Sequence, residues 1–465
     1  MSTIAQNLQT IATAKANIAT SINNKGGSVT SSTPLSAYSA AIDAIPSGGG
    51  GGEPDWSEIG YSTAPQSVLD AFDYSKDIYD NWDTGETSMN SMFAQDHELV
   101  YFPLVDTSNV TQMQYTFNYC SKLTNFPLCD TSNVTSFHGT FDKSGVKTIP
   151  QLNTSACTDM SEMFVESPIE SVPLLDTRNV ENMHYMFAGC TSLQSIPAFN
   201  TSACTNMGSM FDSCTSLTSV PLLDTRNVEN MASMFAACSS LSGIPTFNTS
   251  ACTTMSSMFY YCENLTDIPA LNTSACTSMN NMFHGCSSLS GFSALSGYDW
   301  QSVEDCQDMF SDISDFQITT LPVINTVNCT NFWSMLRFNS SALTRVEGIY
   351  FNSWQGGQIF GDWYGDPDGQ ENHPNLTYVM LYNLGMSENA NQDFDLGCLM
   401  DWGDGGSANH QSLIDSLYTN AYDRATAGYE TRRILLHPYT YARLSQQEID
   451  DIESKGYQVV DIQNG

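Results

Sequence analysis

Apolar residues in the middle of this chain follow a block period rather than a single run of helical or strand alternation. A Met-Phe or Thr-Phe pair places Phe93, Phe117, Phe141, Phe164, Phe187, Phe211, Phe235, Phe259 and Phe283 in steps of 23 or 24 residues, and Phe310 follows after 27. A fixed period of this length is the mark of a solenoid. Each unit is too small to bury its own apolar side, and stacked neighbours supply the missing wall.

The unit beginning at Leu217, LTSVPLLDTRNVENMASMFAACSS, shows what each turn should contain. Leu217, Val220 and Leu222 predict a short strand along the core. Asp224 and Asn227 suit a turn handing over to a helix. Val228, Met231, Met234, Phe235 and Cys238, spaced 3, 3, 1 and 3 apart, predict a short helix with one apolar face. The expected fold is therefore α/β: a solenoid of about ten turns over residues 86–338, one short strand plus one short helix per 23–24-residue repeat. Proline recurs inside the expected strand at Pro103, Pro127, Pro150, Pro173, Pro197, Pro221, Pro245 and Pro269. Because proline cannot donate to a ladder, those strands should be very short.

Stacking turns a period into columns. Cys190, Cys214, Cys238, Cys262 and Cys286 form one; Val110, Val134, Cys157, Val180, Cys204, Val228, Cys252 and Cys276 form another. Cysteine replacing valine in register marks a site for a small apolar group, so free structural thiols are expected rather than bridges or zinc.

The ends read differently. In residues 1–47, Ile4, Leu8, Ile11, Ile18 and Ile22 form an imperfect apolar seam interrupted by Lys15. Thr33 and Pro34 open a second amphipathic helix. Helices this short need partners, so the segment is expected to anchor or oligomerise the chain. Residues 48–55 are a glycine-rich linker, and residues 56–85 are expected to cap the solenoid. Residues 339–465 should form an α/β C-terminal cap. There RRILLHPYTYARLSQQEIDDIESKGYQVVDIQ predicts strand, helix and strand, with Ser445 capping the helix and Gly456 ending it.

Charge narrows the function. Fifty Asp and Glu against 15 Lys and Arg leave a net of −35, which repels phosphate backbones and argues against nucleic acid. No long apolar run predicts a membrane span, and the start MSTIAQNLQT does not read as a secretory signal. No local signature of a hydrolase, zinc protease or nucleotide-binding loop occurs, so no enzyme activity and no cofactor are expected.

The units LDTRNVENMASMF and FNTSACTNMGSMF, each followed by a Cys-x-Ser-Leu stretch, resemble BspA-like leucine-rich repeats of the DTSNVTNMSSMF variety. One departure is that the Asp or Asn falls seven residues after the first Leu rather than eight, so the usual asparagine ladder is not carried over. The N-terminal stretch AKANIATSINNKGG and the C-terminal LSQQE and KGY resemble segments of bacteriophage tail and fibre proteins. The resemblance implies a virion protein assembled in the host bacterial cytoplasm. It would touch other virion proteins through its N-terminus, form a homotrimer through residues 1–47 as the symmetry of phage fibres implies, and present the solenoid to a host-surface glycan or protein. A bacterial surface adhesin of the BspA type, or a capsid or tail decoration without a receptor, shares the same repeats.

Two candidate sites break the repeat pattern near residues 350–375. Trp354, Phe360, Trp363 and Tyr364, with Asp362, could stack on and hydrogen-bond a sugar. Asp366, Asp368 and Glu371 could hold Ca²⁺, although their spacing departs from a full EF-hand loop. A packed insertion accounts for the same residues without a ligand. Tyr260, Tyr261, His184 and His284 are expected as scattered solvated positions on the solenoid.

Overall fold

The computed structural model describes residues 87–351 except 101, 103–106, 291–292, 314–315, 327, 339, 341 and some side chains at these breaks. Beyond them it describes 357–359, 378–382, 394–395, 421, 423–427, 429, 431–436, 441 and 444–461. The calls on residues 1–85 (the helical seam, linker and N-terminal cap) lie outside the described residues.

Eleven successive coils stack in parallel, joined one to the next by bridges from Ser88 through Gln112, Ser136, Asp159, Asn182, Asn206, Asn230, Thr254, Ser278 and Asp305 to Asn331. The solenoid is present, but the helix expected in each repeat is not: residues 107–290 form no α-helix. Alternate amides of that segment reach across to the next coil. Met231, Ser233, Phe235 and Ala237 donate to the carbonyls of Thr254, Ser256, Met258 and Tyr260 at 2.6–3.1 Å. The intervening amides of Met234, Ala236 and Cys238 close tight turns on Met231, Ser233 and Phe235. Ser233 (φ 55) and Ala237 (φ 53) sit in the left-handed region; each of the first ten coils carries such a pair of reversals four residues apart, and the eleventh carries one, at Ser334. A helix would consume all its amides internally and offer none to its neighbour. The turn ladder splits them between the two tasks.

The inter-coil ladder thus runs along the segment read as helical. The segment read as strand carries only sparse bonds, such as Glu170 to Lys147 (2.8 Å) and Thr218 to Gln194 (3.3 Å). This is where the proline column lies, and a missing N–H matters little there.

Inside, phenylalanines stack face to face from Phe93 to Phe310, with successive ring centroids 5.5–5.9 Å apart and planes within 2–11°. Methionines flank them, fully buried. The first cysteine column is also buried, and each thiol donates to a phenylalanine carbonyl of the preceding coil, as from Cys214 to Phe187 and Cys238 to Phe211, at 2.9–3.1 Å. The thirteen described cysteines are free and buried. Desolvation pushes thiols such as Cys190, Cys204 and Cys262 up to about 12, which keeps them protonated.

A further column went unread in the sequence. Thr107, Thr131, Thr154, Thr177, Thr201, Thr225, Thr249 and Thr273 are buried, and each hydroxyl donates to a carbonyl of the next coil at 2.6–2.9 Å. Asparagine contributes in the DTxNV-type coils, where Asn133, Asn179 and Asn227 donate to Ser108, Ser155 and Ser202 carbonyls of the coil before, and again at Asn328, which donates to the Gln301 carbonyl.

Past the regular coils, β1 (Thr320–Leu321), β2 (Ile324–Thr326) and β5 (Tyr378–Tyr382) pair in parallel with β3 (Arg345–Phe351). A second parallel sheet orders β4 (Gly357–Gln358), β6 (Phe394–Asp395), β7 (Arg432–Leu436) and β8 (Tyr457–Asp461). A short helix, α1 (Arg424–Ala427), precedes β7. The strand, helix and strand expected at the C-terminus are β7, α2 (Gln446–Ser454) and β8. Ser445 and Glu448 form a reciprocal capping box, and Gly456 turns the chain at φ +89.

Candidate functional site

Trp354, Phe360, Asp362, Trp363 and Tyr364, the acidic trio Asp366, Asp368 and Glu371, and Ile4, Leu8, Ile11, Ile18 and Ile22 all lie outside the described residues. Among the described residues no group of three His, Cys, Asp or Glu side chains could hold a metal ion, and no helix is long and apolar enough to cross a membrane.

The described residues instead bring aromatic side chains together on the outer face of the turn ladder. In each coil the ladder aims two methionine or related side chains, a phenylalanine and a small residue inward. The remaining positions face out, and their amides are spent either on the next coil or on turns within their own. At two places those outward positions gather rings and charges into clusters.

The first cluster spans the coils of Tyr115, His138 and Glu162. The Tyr115 ring lies across the following coil, where Gly139 stands; a Cβ there would come within 2.3 Å of the ring. The Tyr115 hydroxyl donates to Glu162 at 2.9 Å, and its ring meets His138 edge-on at 4.7 Å. Burial, then the Glu162 hydrogen bond and charge, raise the Tyr115 hydroxyl to about 12. Beside it Lys143 bridges the Tyr119 hydroxyl (3.1 Å) and Glu166 (3.3 Å). Asn118 donates to Asp142 at 2.6 Å. Burial is the chief reason the Asp142 carboxyl is raised to about 6.

The second cluster lies further along the same columns. Tyr260 stacks on His284 (4.9 Å, 16°), while Tyr261 meets both of them edge-on at 4.6 and 5.2 Å. Again a glycine makes room: a Cβ on Gly285 would lie 2.7 Å from the Tyr261 ring. His284, only 8% exposed, faces Asp312 at 3.3 Å, and Asp312 also pairs with Arg337 at 2.9 Å. Burial lowers the His284 pKa against the opposing pull of Asp312, so the ring is neutral near pH 7. Asp308 accepts from Ser311 (2.7 Å) and Gln307 (3.1 Å), both uncharged. Tyr261 is 40% exposed and Trp333, three coils on, 43%. His184 joins the first group's neighbourhood, edge-on to Tyr185 at 4.2 Å and resting over Gly208. Tyr260, Tyr261 and His284 are thus a packed cluster rather than the isolated positions expected. A legible signal existed: Tyr115 and Tyr261 each have glycine 24 residues on.

Another flank exposes Leu128, Leu174 and Leu222, beside a shallow hollow of about 560 Å³ bordered by Leu222, Asp224, Arg226 and Asn248. Its only charged groups there, Asp224 and Arg226, are paired with each other at 2.8 Å.

The family described as Mycoplasma protein of unknown function, DUF285, matches residues 66–168, 143–244 and 238–347, overlapping windows that together cover more than half the chain. No curated protein is similar to it. Among solved structures, a leucine-rich repeat protein from Bacteroides ovatus is similar over 69% of this chain and 86% of that chain, with 16% identity and a TM-score of 0.25.

Proposed function

The chain belongs to the DUF285 family, and from the repeat array that its model matches we propose a non-catalytic attachment protein whose ladder face binds a host-surface glycan or protein. The observation that carries this reading is the Tyr260–Tyr261–His284 platform: an exposed Tyr261 ring and a half-buried Tyr260 ring packed on the buried His284, which Asp312 faces, on a rigid stack. Aromatic faces with adjacent hydrogen-bonding groups suit sugar rings, because the face takes the apolar side and the polar groups take the hydroxyls. A rigid support also limits the entropy lost on binding. The finer reading is a bacteriophage tail or head appendage. Residues 1–47 would anchor it to other virion proteins as a homotrimer, with the solenoid projecting outward.

Binding of the purified full chain to bacterial cells and to a glycan array tests the attachment reading. The double variant Tyr260→Ala/Tyr261→Ala should keep its melting temperature and lose at least tenfold in binding. A chain that sticks to no cell surface and no glycan, or a variant that binds as well as wild type, would sink the reading. Native mass measurement with and without residues 1–47 tests the trimer separately, an unchanged oligomer counting against it.

A further inference from the structure

The two ring clusters occupy the same outward columns of one continuous stack. Tyr119 and Tyr261 hold the same position in their coils, as left-handed residues with φ 60 and 53. Six coils separate them in the unbroken bridge series, or roughly 29 Å at the usual ~4.8 Å between parallel chains. Between them lie the His184–Tyr185 pair and then the small residues Gly208, Ala232, Ser233 and Ala237, with Ser209 and Ala236 buried among them. A low stretch of small side chains therefore separates the Tyr260–Tyr261 platform from the ring-bearing coils before it.

A small molecule would use one platform and leave the other idle. A peptide adding to a sheet needs free main-chain donors and acceptors, but the ladder amides here are engaged between coils. Anionic polymers meet Asp142, Glu162, Glu166, Asp308 and Asp312 against only Lys143 and Arg337, on a chain of net charge −35. What remains is a ligand that stacks on rings, hydrogen-bonds to carboxylates and runs straight.

Resting on the attachment reading, we propose that the ladder face binds a linear, uncharged or amine-bearing polysaccharide lying along the solenoid axis and gripped at both the Tyr115–Tyr119 and the Tyr260–Tyr261–His284 clusters. Two weak contacts on one rigid support act as a bivalent site. Affinity should therefore climb steeply once the ligand is long enough to reach both.

The probes are chito-oligosaccharides of two to about ten sugars, in N-acetylated (uncharged) and de-N-acetylated (amine) forms, with hyaluronan fragments of matched length as the anionic counterpart. Calorimetry on the full chain should show a rise of at least about 30-fold in affinity between the shortest members and those that span roughly 29 Å, with hyaluronan binding weakest. Tyr260→Ala/Tyr261→Ala should abolish the rise with length yet leave the short-chain affinity of the other cluster; Tyr115→Ala/Tyr119→Ala should do the same from its end. Affinity independent of length, preference for hyaluronan, or a rise that survives both double variants would overturn the inference. Binding of none of these sugars, while cells are still bound through the Tyr260–Tyr261 pair, also overturns it and leaves attachment standing. Loss of cell binding altogether removes the attachment reading itself.

Discussion

Replacing Ala237 separates the turn ladder from a helix, because the two backbones rank the same substitutions in opposite order. Ala237 sits at φ 53, its N–H donating to Tyr260 at 2.6 Å and its carbonyl accepting from Ser239 at 2.9 Å. A left-handed conformation costs an L residue about 1–2 kcal/mol, and glycine escapes that cost. Glycine also frees the unfolded chain by about 0.5–1 kcal/mol. Ala237→Gly should therefore leave stability within about 1 kcal/mol of wild type, on either side. Valine adds a branch at Cβ, where positive φ is least tolerated, so Ala237→Val should lose about 2 kcal/mol or more. In a helix the expectation reverses: valine costs only a few tenths to about 0.7 kcal/mol, and glycine about 1 kcal/mol. Urea unfolding of both variants, followed by tyrosine fluorescence and by circular dichroism, decides it, with the slope checked for loss of cooperativity. A valine variant more stable than the glycine variant would refute the ladder.

Three further outcomes follow from the same geometry. The Thr249 hydroxyl both donates to the Asn272 carbonyl (2.8 Å) and accepts from the Asn272 N–H (2.8 Å), so Thr249→Val should lose about 2 kcal/mol and speed exchange of the Asn272 amide, whereas Thr249→Ser should keep the exchange slow; equal exchange in the two variants would assign the column to packing alone. The Asp142 carboxyl, raised to about 6 from an ordinary 3.8, binds its proton more tightly when folded. Its protonation therefore stabilises the fold fully below about 3.8, and that contribution is lost as pH rises through about 6. Asp142→Asn should thus match wild type at pH 3.5 and exceed it at pH 7, by about 1 kcal/mol once solvent screening of this half-buried group is allowed for; a gap that widens in acid would reverse the sign of the argument. The buried thiols, held protonated near 12 in several coils, should react with a thiol reagent at pH 8 only at the unfolding rate, and faster labelling of the folded chain would show that the core opens.

The repeat was legible because burial enforces it: phenylalanine, methionine and cysteine recur wherever a coil must meet the next. The helix was misread because a turn that reverses every four residues puts apolar side chains at nearly the same spacings as a helix. What separates the two is the choice of residues at the reversals. From Ser91 and Gln95 through Gly139, Gly189, Ser209, Ser233, Ser257, Asn281 and Gly285 to Asp312, none of those positions holds valine, isoleucine or threonine. On an exposed helix face such residues would be tolerated, while at positive φ they are excluded. The threonine column could be seen as a column, but its role depends on a carbonyl one coil away and so on the stacking distance.

The ring clusters were hidden for the same reason. Tyr261, His284 and Asp312 are 23 and 28 residues apart in sequence, and only coil stacking sets them side by side. Spacing along the chain carries a site only when its residues share an element; in a solenoid they share a column instead. The informative comparison is each residue with the one a period later. Read that way, a tyrosine followed 24 positions on by glycine, as at Tyr115 and Gly139 or Tyr261 and Gly285, marks a ring laid flat over its neighbour. A ring held against its neighbour is fixed before any ligand arrives, and a fixed ring loses less entropy when something stacks on it.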